Sequence, residues 1–159
     1  MKKILTFTLT AFMLICCLTG CGKRDPKYIG KWEASYMIIS GQKYENMLGL
    51  PISAVFRFEI KGDGKLEWKS AVDNTIIENA NDDTDITWKE KEKDVIQVKV
   101  SDRKGKEKSR TMDIKYIDDM LVIESDDSSI NLVKVDEFTP IDTDALNAAA
   151  GVIQNFGVN

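Results

Sequence analysis

The chain contains no histidine and only three cysteines among its 159 residues. Histidine is the most frequent general base and a common zinc ligand, so its absence excludes His-dependent catalytic triads and most zinc sites. The three cysteines all lie within the first 21 residues, and the 26 acidic side chains are too scattered to single out a catalytic pair. We therefore expect a protein that is not an enzyme and that holds no metal ion and no cofactor.

The chain also lacks an excess of positive charge and a series of long apolar runs. Its net charge of −4 argues against a general nucleic-acid-binding protein. The hydrophobic fraction of 43% is too high for intrinsic disorder, and the apolar residues are too dispersed for several membrane spans. The length fits one ordinary domain with a tail.

The N-terminal segment combines a charged start with a short apolar run. Two lysines precede residues 4–18, which carry no charge and have the length of a signal-peptide core, whereas a spanning helix needs about 20 residues. The following Leu18-Thr19-Gly20-Cys21 resembles the bacterial lipobox. This resemblance implies cleavage after Gly20 and a diacylglyceryl thioether on Cys21. An uncleaved anchor and an ordinary secretory signal are the alternatives.

Lipidation at Cys21 predicts four parts: a signal peptide (1–20), a lipidated tether (21–27), a barrel domain (28–138) and a C-terminal tail (139–159). Loss of the signal peptide would change the net charge from −4 to −6. Two acyl chains give stable membrane attachment, while an acidic body is mildly repelled by anionic lipids. We therefore expect the domain to stand off the extracytoplasmic face of the cell membrane on its tether.

Between Tyr28 and Val135, apolar and polar residues alternate with a period of two, which is typical of strands with one buried face. Segments rich in Gly, Asp and Lys separate these strands and favour tight turns. The last strand is expected to contain a bulge at Leu132-Val133, and the connection before Pro51 one helical turn over 44–48. The eight predicted strands are 32–38, 54–60, 66–70, 86–88, 96–100, 112–116, 121–123 and 130–135.

Eight sequential antiparallel strands with one apolar face can form a closed up-and-down barrel or a sandwich. Short hairpin turns favour the barrel, because a Greek key needs a long crossover and because closure removes exposed edges. In such a barrel the strand of Trp32 pairs with the strand of Leu132. After Pro140 a short amphipathic helix is predicted over 144–154. The predicted fold is therefore an all-β, eight-stranded antiparallel up-and-down barrel with a short C-terminal helix.

Several short motifs resemble the lipocalin-like domains of small bacterial lipoproteins. Gly30-Lys31-Trp32 matches the lipocalin G-x-W signature, and the hairpins around 58–66, 88–96 and 116–122 are similar to later hairpins of those domains. The resemblance covers residues 29–135 and implies a barrel with an interior cavity. Lipocalins often pair the first-strand Trp with an Arg near the end of the last strand. In this chain Lys134 is the only residue that could take that place.

The predicted inner face carries a set of large side chains that would line a cavity for a small apolar or amphiphilic molecule. The alternative is that these side chains fill the barrel, and that loops 42–51 and 73–83 contact another protein of the cell envelope. Asn81, Asp83 and Asp85 have calcium-loop spacing, but Ile86 stands where glycine is required, so a solvated acidic loop is expected. The candidate cavity-lining residues are Trp32, Phe56, Phe58, Trp68, Trp88, Met112 and Tyr116.

Overall fold

The computed structural model describes residues 24–47, 49–69, 84–103 and 109–142. The predicted signal peptide, the predicted lipidation site Cys21, the polar loop 73–83 and the predicted C-terminal helix lie outside the described residues. The predictions for these segments therefore stay predictions.

The described residues form eleven β-strands and one short helix. In chain order they are β1 (Gly30–Ile39), β2 (Gln42–Tyr44), β3 (Asn46–Met47), β4 (Leu50–Pro51), α1 (Ile52–Val55), β5 (Arg57–Ile60), β6 (Leu66–Trp68), β7 (Thr84–Glu92), β8 (Val95–Asp102), β9 (Arg110–Ile117), β10 (Met120–Ser125) and β11 (Ser128–Val135).

Eight of these strands form one antiparallel sheet that curls into a nearly closed barrel. Its order is β6-β5-β1-β11-β10-β9-β8-β7, and β2 adds to the end of β1. The first long strand meets the last, with Ala34 opposite Leu132. A bridge between Lys65 and Thr87 brings β6 to β7, and the Trp88 backbone N–H donates to the Gly64 carbonyl at 2.8 Å. The predicted up-and-down barrel is confirmed.

The barrel has two distinct ends. The lower end is the one where β1 begins and β11 ends, and the upper end lies opposite. The hairpin between β9 and β10 turns at the lower end through Asp118 and Asp119, whose φ angles are 50° and 63°. This two-residue turn with positive φ matches the right-handed twist of paired strands. The tight turn expected between the predicted strands 112–116 and 121–123 therefore lies at Asp118 and Asp119.

The register of the barrel wall shifts in β7 between Glu90 and Glu92, and also in β1. The shift in β1 lies between Ala34 and Tyr36, so Ser35 is an extra residue opposite a continuous β11. The bulge predicted at Leu132-Val133 is wrong. Beyond the bulge Met37 packs against the core, where the alternation had placed Tyr36. Because residues 36–39 are all apolar, their sequence does not define which ones face inward.

The short helix lies later in the chain than predicted. Tyr44 belongs to β2, and the helical turn is α1, in which the Phe56 backbone N–H donates to the Ile52 carbonyl at 3.0 Å. Ile52 and Ala54 are buried, so α1 covers part of the interior near the upper end. The strand predicted to start at Ala54 is therefore shorter. Four residues do not distinguish a period of two from one helical turn.

Within the described ranges, thirteen buried side chains form one core inside the barrel. Burial of each large apolar side chain contributes about 1.5–3 kcal/mol to folding. The core consists of Tyr28, Trp32, Ala34, Ile52, Phe58, Ile60, Leu66, Trp88, Ile96, Val98, Ile114, Leu121 and Leu132.

Candidate functional site

The seven predicted cavity-lining residues fall into different environments. Trp32, Phe58 and Trp88 are at most 3% exposed and belong to the core. Their rings occupy the interior themselves, as the alternative interpretation expects. The other four are less buried. Phe56 and Tyr116 are partly buried and pack against the core. Trp68 is partly buried, with its ring centroid 5.9 Å from that of Phe56, and Met112 is 39% exposed.

Above this filled core the inner face remains apolar but is only partly covered. We term the residues of this level the upper apolar layer; they are Met37, Phe56, Ile86, Met112, Ile123 and Ile130. All except Met112 pack partly buried against the core. Met112 lies opposite Val98 in the register, and cross-strand partners share a face, so Met112 belongs to the same inner surface.

The wall of the barrel is split beside Met112. The ladder between β9 and β10 contains only the pairs of Met120, Leu121 and Val122 with Ile117, Tyr116 and Lys115. Higher up, residues 110–114 and 123–125 have no register partner in the opposite strand, although both strands lie within the described ranges. We term this gap the β9–β10 opening. It explains why an apolar side chain of the inner face is exposed.

The lower end is closed by the segment that precedes β1. Residues 24–29, termed the basal segment, cross this end, and Tyr28 is only 1% exposed. The Trp32 indole N–H donates to the Tyr28 carbonyl at 2.8 Å, and the Tyr28 ring centroid lies 5.7 Å from that of Tyr116. Residues 24–27, which the polar sequence predicts to be part of the tether, are therefore docked on the barrel. An aromatic residue four positions before the G-x-W tryptophan was the available signal for a docked segment.

Charged groups hold the basal segment to the hairpins of the lower end. Lys27 Nζ donates to Asp94 Oδ1 at 2.6 Å and lies 4.8 Å from the Tyr28 ring centroid. The hydrogen bond from Lys27 lowers the pKa of the Asp94 carboxyl, and the same bond raises the pKa of Lys27. Burial raises the pKa of the Tyr28 phenol. Both members of the Lys27–Asp94 pair are therefore charged at neutral pH.

Lys134 lies beside Trp32, as expected for the only residue that could take that position. Its Nζ lies 5.7 Å from the Trp32 ring centroid and donates to the carbonyls of Pro26 and Lys27 at 3.2 and 3.1 Å. Gly30 has a φ of +137°, and a Cβ on it would lie 2.8 Å from Lys134 Cε. The absence of a side chain at Gly30 thus leaves room for the Lys134 side chain to reach the Trp32 ring.

We expect the substitution Gly30→Ala to lower the free energy of unfolding by at least about 1 kcal/mol, because alanine is strained at positive φ and its Cβ displaces Lys134. Gly41→Ala is the matched control, since Gly41 also has a positive φ (78°) but a Cβ added there would meet no heavy atom within 4 Å. Urea denaturation of both variants measures the difference. Equal destabilisation by the two substitutions would show that contact with Lys134 is unimportant.

A polar network lies on the outer face of β1 and β5. Glu33 and Arg57 are opposite each other in the register and are 7% and 6% exposed. Arg57 Nε donates to the Ser53 carbonyl at 2.7 Å, and the Thr139 backbone N–H donates to Glu33 Oε2 at 2.9 Å. Burial lowers the pKa of Arg57, while the charge of Glu33 opposes that change. These four residues, termed the lateral network, fasten the segment after β11 to the barrel.

Two of the open clefts on the described surface lie beside the inner face of the barrel wall or at its upper end. A cleft of about 570 Å³ lies at the upper end between the β1–β2 turn and the β10–β11 hairpin, and its lining includes Glu124, Asp126 and Asp127. A second cleft of about 460 Å³ follows the seam between β6 and β7, beside Leu66 and Ile86. Neither of these two clefts is lined by any of the seven predicted cavity residues, but Trp88 lines a smaller cleft of about 170 Å³ between β7 and β8.

Other site types find no support in the part of the chain that the structure covers. There, no three His, Cys, Asp or Glu side chains come together as a metal site would require. Asp85, one of the three residues with calcium-loop spacing, accepts a hydrogen bond from Arg103 at 2.8 Å, whereas Asn81 and Asp83 lie outside the described residues. Among the helices within the described ranges, none has the length and apolar character needed to span a bilayer.

The barrel should lose stability at acid pH through Glu67. Hydrogen bonds from Lys61 and then Lys69 lower the pKa of Glu67 from 4.5 to about 2. A carboxyl with a lowered folded-state pKa stabilises the fold above its unfolded pKa, and this contribution is lost as the pH falls from 4.5 towards 2. We expect the free energy of unfolding to decline less steeply over this range in Glu67→Gln. Identical pH dependences in urea titrations of the two proteins would contradict this assignment.

Comparison with known proteins gives no relative from which a function could be transferred. The chain matches no protein-family model, no curated protein and no solved structure at a significant level.

Proposed function

We propose that this protein is a lipid-anchored binding module on the extracytoplasmic face of the cell membrane, attached through Cys21. Its lipocalin-like barrel would bind a small apolar or amphiphilic molecule at the upper apolar layer. The charged start, short apolar run and lipobox-like Leu18-Thr19-Gly20-Cys21 support the anchor. The described residues form the barrel, and the proposed binding surface lies in the upper half of that barrel.

The β9–β10 opening is the observation that carries the binding proposal. Met112 lies on the inner face and is 39% exposed, and a single exposed apolar side chain becomes informative when it continues into an apolar patch. Beside it lie Ile123 and Ile130, which are only partly buried. An apolar chain or ring seated here would cover these side chains and would rest on the closed core formed by Ile114 and Leu121.

A flexible methionine at the rim suits this role. Methionine has three rotatable bonds and a polarisable sulfur, so it adapts to ligands of different shape. The outer surface next to the opening is polar, since the side chains of Lys115 and Glu124 form an ion pair across β9 and β10. An amphiphile could therefore place its apolar part inside and its polar group near this pair.

A binding titration with the apolar fluorophore N-phenyl-1-naphthylamine tests the proposal. We expect saturable binding to the wild-type protein and roughly tenfold weaker binding to Met112→Lys, because a buried unpaired charge opposes an apolar ligand. Ile117→Lys is the matched control: Ile117 is 43% exposed on the same strand but faces outward at the lower end. Equal affinities of the two variants would contradict binding at the opening.

The second candidate is a filled barrel that contacts another envelope protein through its surface. The burial of Trp32, Phe58 and Trp88 favours it, because these rings occupy the lower interior. Of the two loops assigned to this role, residues 42–51 form β2, β3 and β4, whereas 73–83 lies outside the described residues. Native mass spectrometry separates the candidates: a bare polypeptide mass, together with no fluorophore binding, would favour the surface contact.

A further inference from the structure

We infer that the lower end of the barrel faces the lipid surface, so that the β9–β10 opening and the acidic β10–β11 hairpin project away from it. This inference rests on the proposed lipid anchor at Cys21. It means that the barrel has one preferred orientation on the membrane and does not turn freely about its tether. The inference follows from the contacts that hold the basal segment to the barrel.

The basal segment is bound at separate points around the lower end. Arg24 Nη1 donates to the Gly62 carbonyl in the β5–β6 turn at 2.9 Å. The Asp25 backbone N–H donates to Glu90 Oε1 near the end of β7 at 2.6 Å, and Lys27 binds Asp94 in the β7–β8 turn. Because these contacts reach different hairpins, the segment cannot swing about a single point.

The end of the basal segment that joins β1 is fixed by burial. Tyr28 is 1% exposed, and the Trp32 indole binds its carbonyl. Lys134 from the last strand binds the carbonyls of Pro26 and Lys27. The chain is therefore part of the folded barrel from Arg24 onward, and in the sequence two residues, Gly22 and Lys23, separate Arg24 from Cys21.

This connection is short compared with the barrel. Three residues of fully extended chain span at most about 11 Å. The eight residues of β11 extend about 26 Å along the strand, and a tilt of roughly 40° still leaves the two ends about 20 Å apart. An anchor that leaves the lower end cannot reach past the upper end. The lower end must therefore lie near the lipid headgroups.

The charge of the β10–β11 hairpin agrees with this orientation. Anionic lipids repel acidic surfaces and attract basic ones. The β10–β11 hairpin at the upper end carries Glu124, Asp126 and Asp127, with no cation among residues 124–129. At the lower end the β5–β6 and β7–β8 turns carry lysines beside their acidic residues, and the β9–β10 turn carries two aspartates. The basal segment adds Arg24 and Lys27 with one acid, Asp25. An anionic lipid surface would repel the β10–β11 hairpin, whereas residues 103–109, between β8 and β9, are basic.

Energy transfer from single dye labels to acceptor-labelled headgroups tests the orientation. Lys93→Cys places a dye in the β7–β8 turn at the lower end, and Asp127→Cys places one in the β10–β11 turn; both positions are exposed. The lipidated full-length protein is reconstituted into phosphatidylcholine vesicles with a small share of phosphatidylglycerol. We expect at least about threefold more transfer from Lys93→Cys, since about 20 Å separate the two ends.

Two controls distinguish failure of the orientation from failure of the anchor. Intact-mass analysis reports whether Cys21 carries the diacylglyceryl group, and its absence would overturn the anchor on which the inference rests. With the lipid present, equal transfer from the two labels would overturn the orientation alone. A variant with ten Gly and Ser residues inserted between Lys23 and Arg24 should lose most of the difference. A difference that survived this insertion would show that the short connection does not orient the barrel.

Discussion

Replacing Trp32 with alanine is expected to lower the free energy of unfolding by about 3–5 kcal/mol, the largest effect of any single substitution in the barrel. Trp32 is 0% exposed, and its indole N–H binds the Tyr28 carbonyl. Its ring also contacts Tyr116, with 6.4 Å between centroids, and supports Lys134. Alanine would leave a cavity and would free the basal segment at the same time.

Trp68→Ala is the matched control for this loss. Trp68 has the same side chain but is only partly buried in the short strand β6, where its ring meets Phe56. We expect Trp68→Ala to lower the free energy of unfolding by less than half as much as Trp32→Ala, because the loss of stability follows the buried apolar area that is removed. Urea denaturation followed by far-ultraviolet circular dichroism measures both. Similar costs would show that Trp32 does not organise the lower end.

The second large effect is expected from the lateral network. Glu33→Leu should lower the free energy of unfolding by about 3 kcal/mol, because it leaves Arg57 buried without a nearby negative charge. Arg57 is 6% exposed, and its Nη2 has no hydrogen-bond partner in the described structure. The same substitution removes the two hydrogen bonds that Thr139 donates to Glu33.

A double substitution tests the reason for this effect. Glu33→Leu combined with Arg57→Leu removes both buried charges, and we expect it to recover most of the lost stability. Glu45→Leu provides a control, because its ion pair with Lys43 is well exposed and should contribute nothing measurable. If the double variant were as unstable as the sum of the two single variants, the loss would come from packing and not from an unpaired charge.

The barrel could be predicted because its signals are local. Each hairpin combines strands of period two with a turn such as Asp118-Asp119, and a series of such hairpins places the first strand beside the last. The bulge at Ser35 could not be predicted, because the residues after it are apolar on both faces. The alternation of apolar and polar residues places Met112 on the inner face, but the split that exposes it depends on where the β9–β10 ladder ends.

The buried and docked charges could not be predicted, because their partners lie far away in the sequence. Glu33 alternates with apolar residues, a pattern typical of an outward, solvated side chain. It is buried because Thr139, 106 positions later, covers it. In the same way the sequence around Lys27 indicates a polar tether until Asp94, 67 positions later, is placed beside it. Periodicity describes which face a residue occupies, but it does not describe which segment will cover that face.

The two incomplete seams also divide the wall mechanically. On one side, the three-stranded ribbon from β7 to β9 is joined to β6 by a single bridge, and on the other it is joined to β10 by three residue pairs near the lower end. Segments with few hydrogen bonds to their neighbours open at the lowest free energy. The two seams that border this ribbon are therefore the places where the barrel wall opens at the lowest free energy.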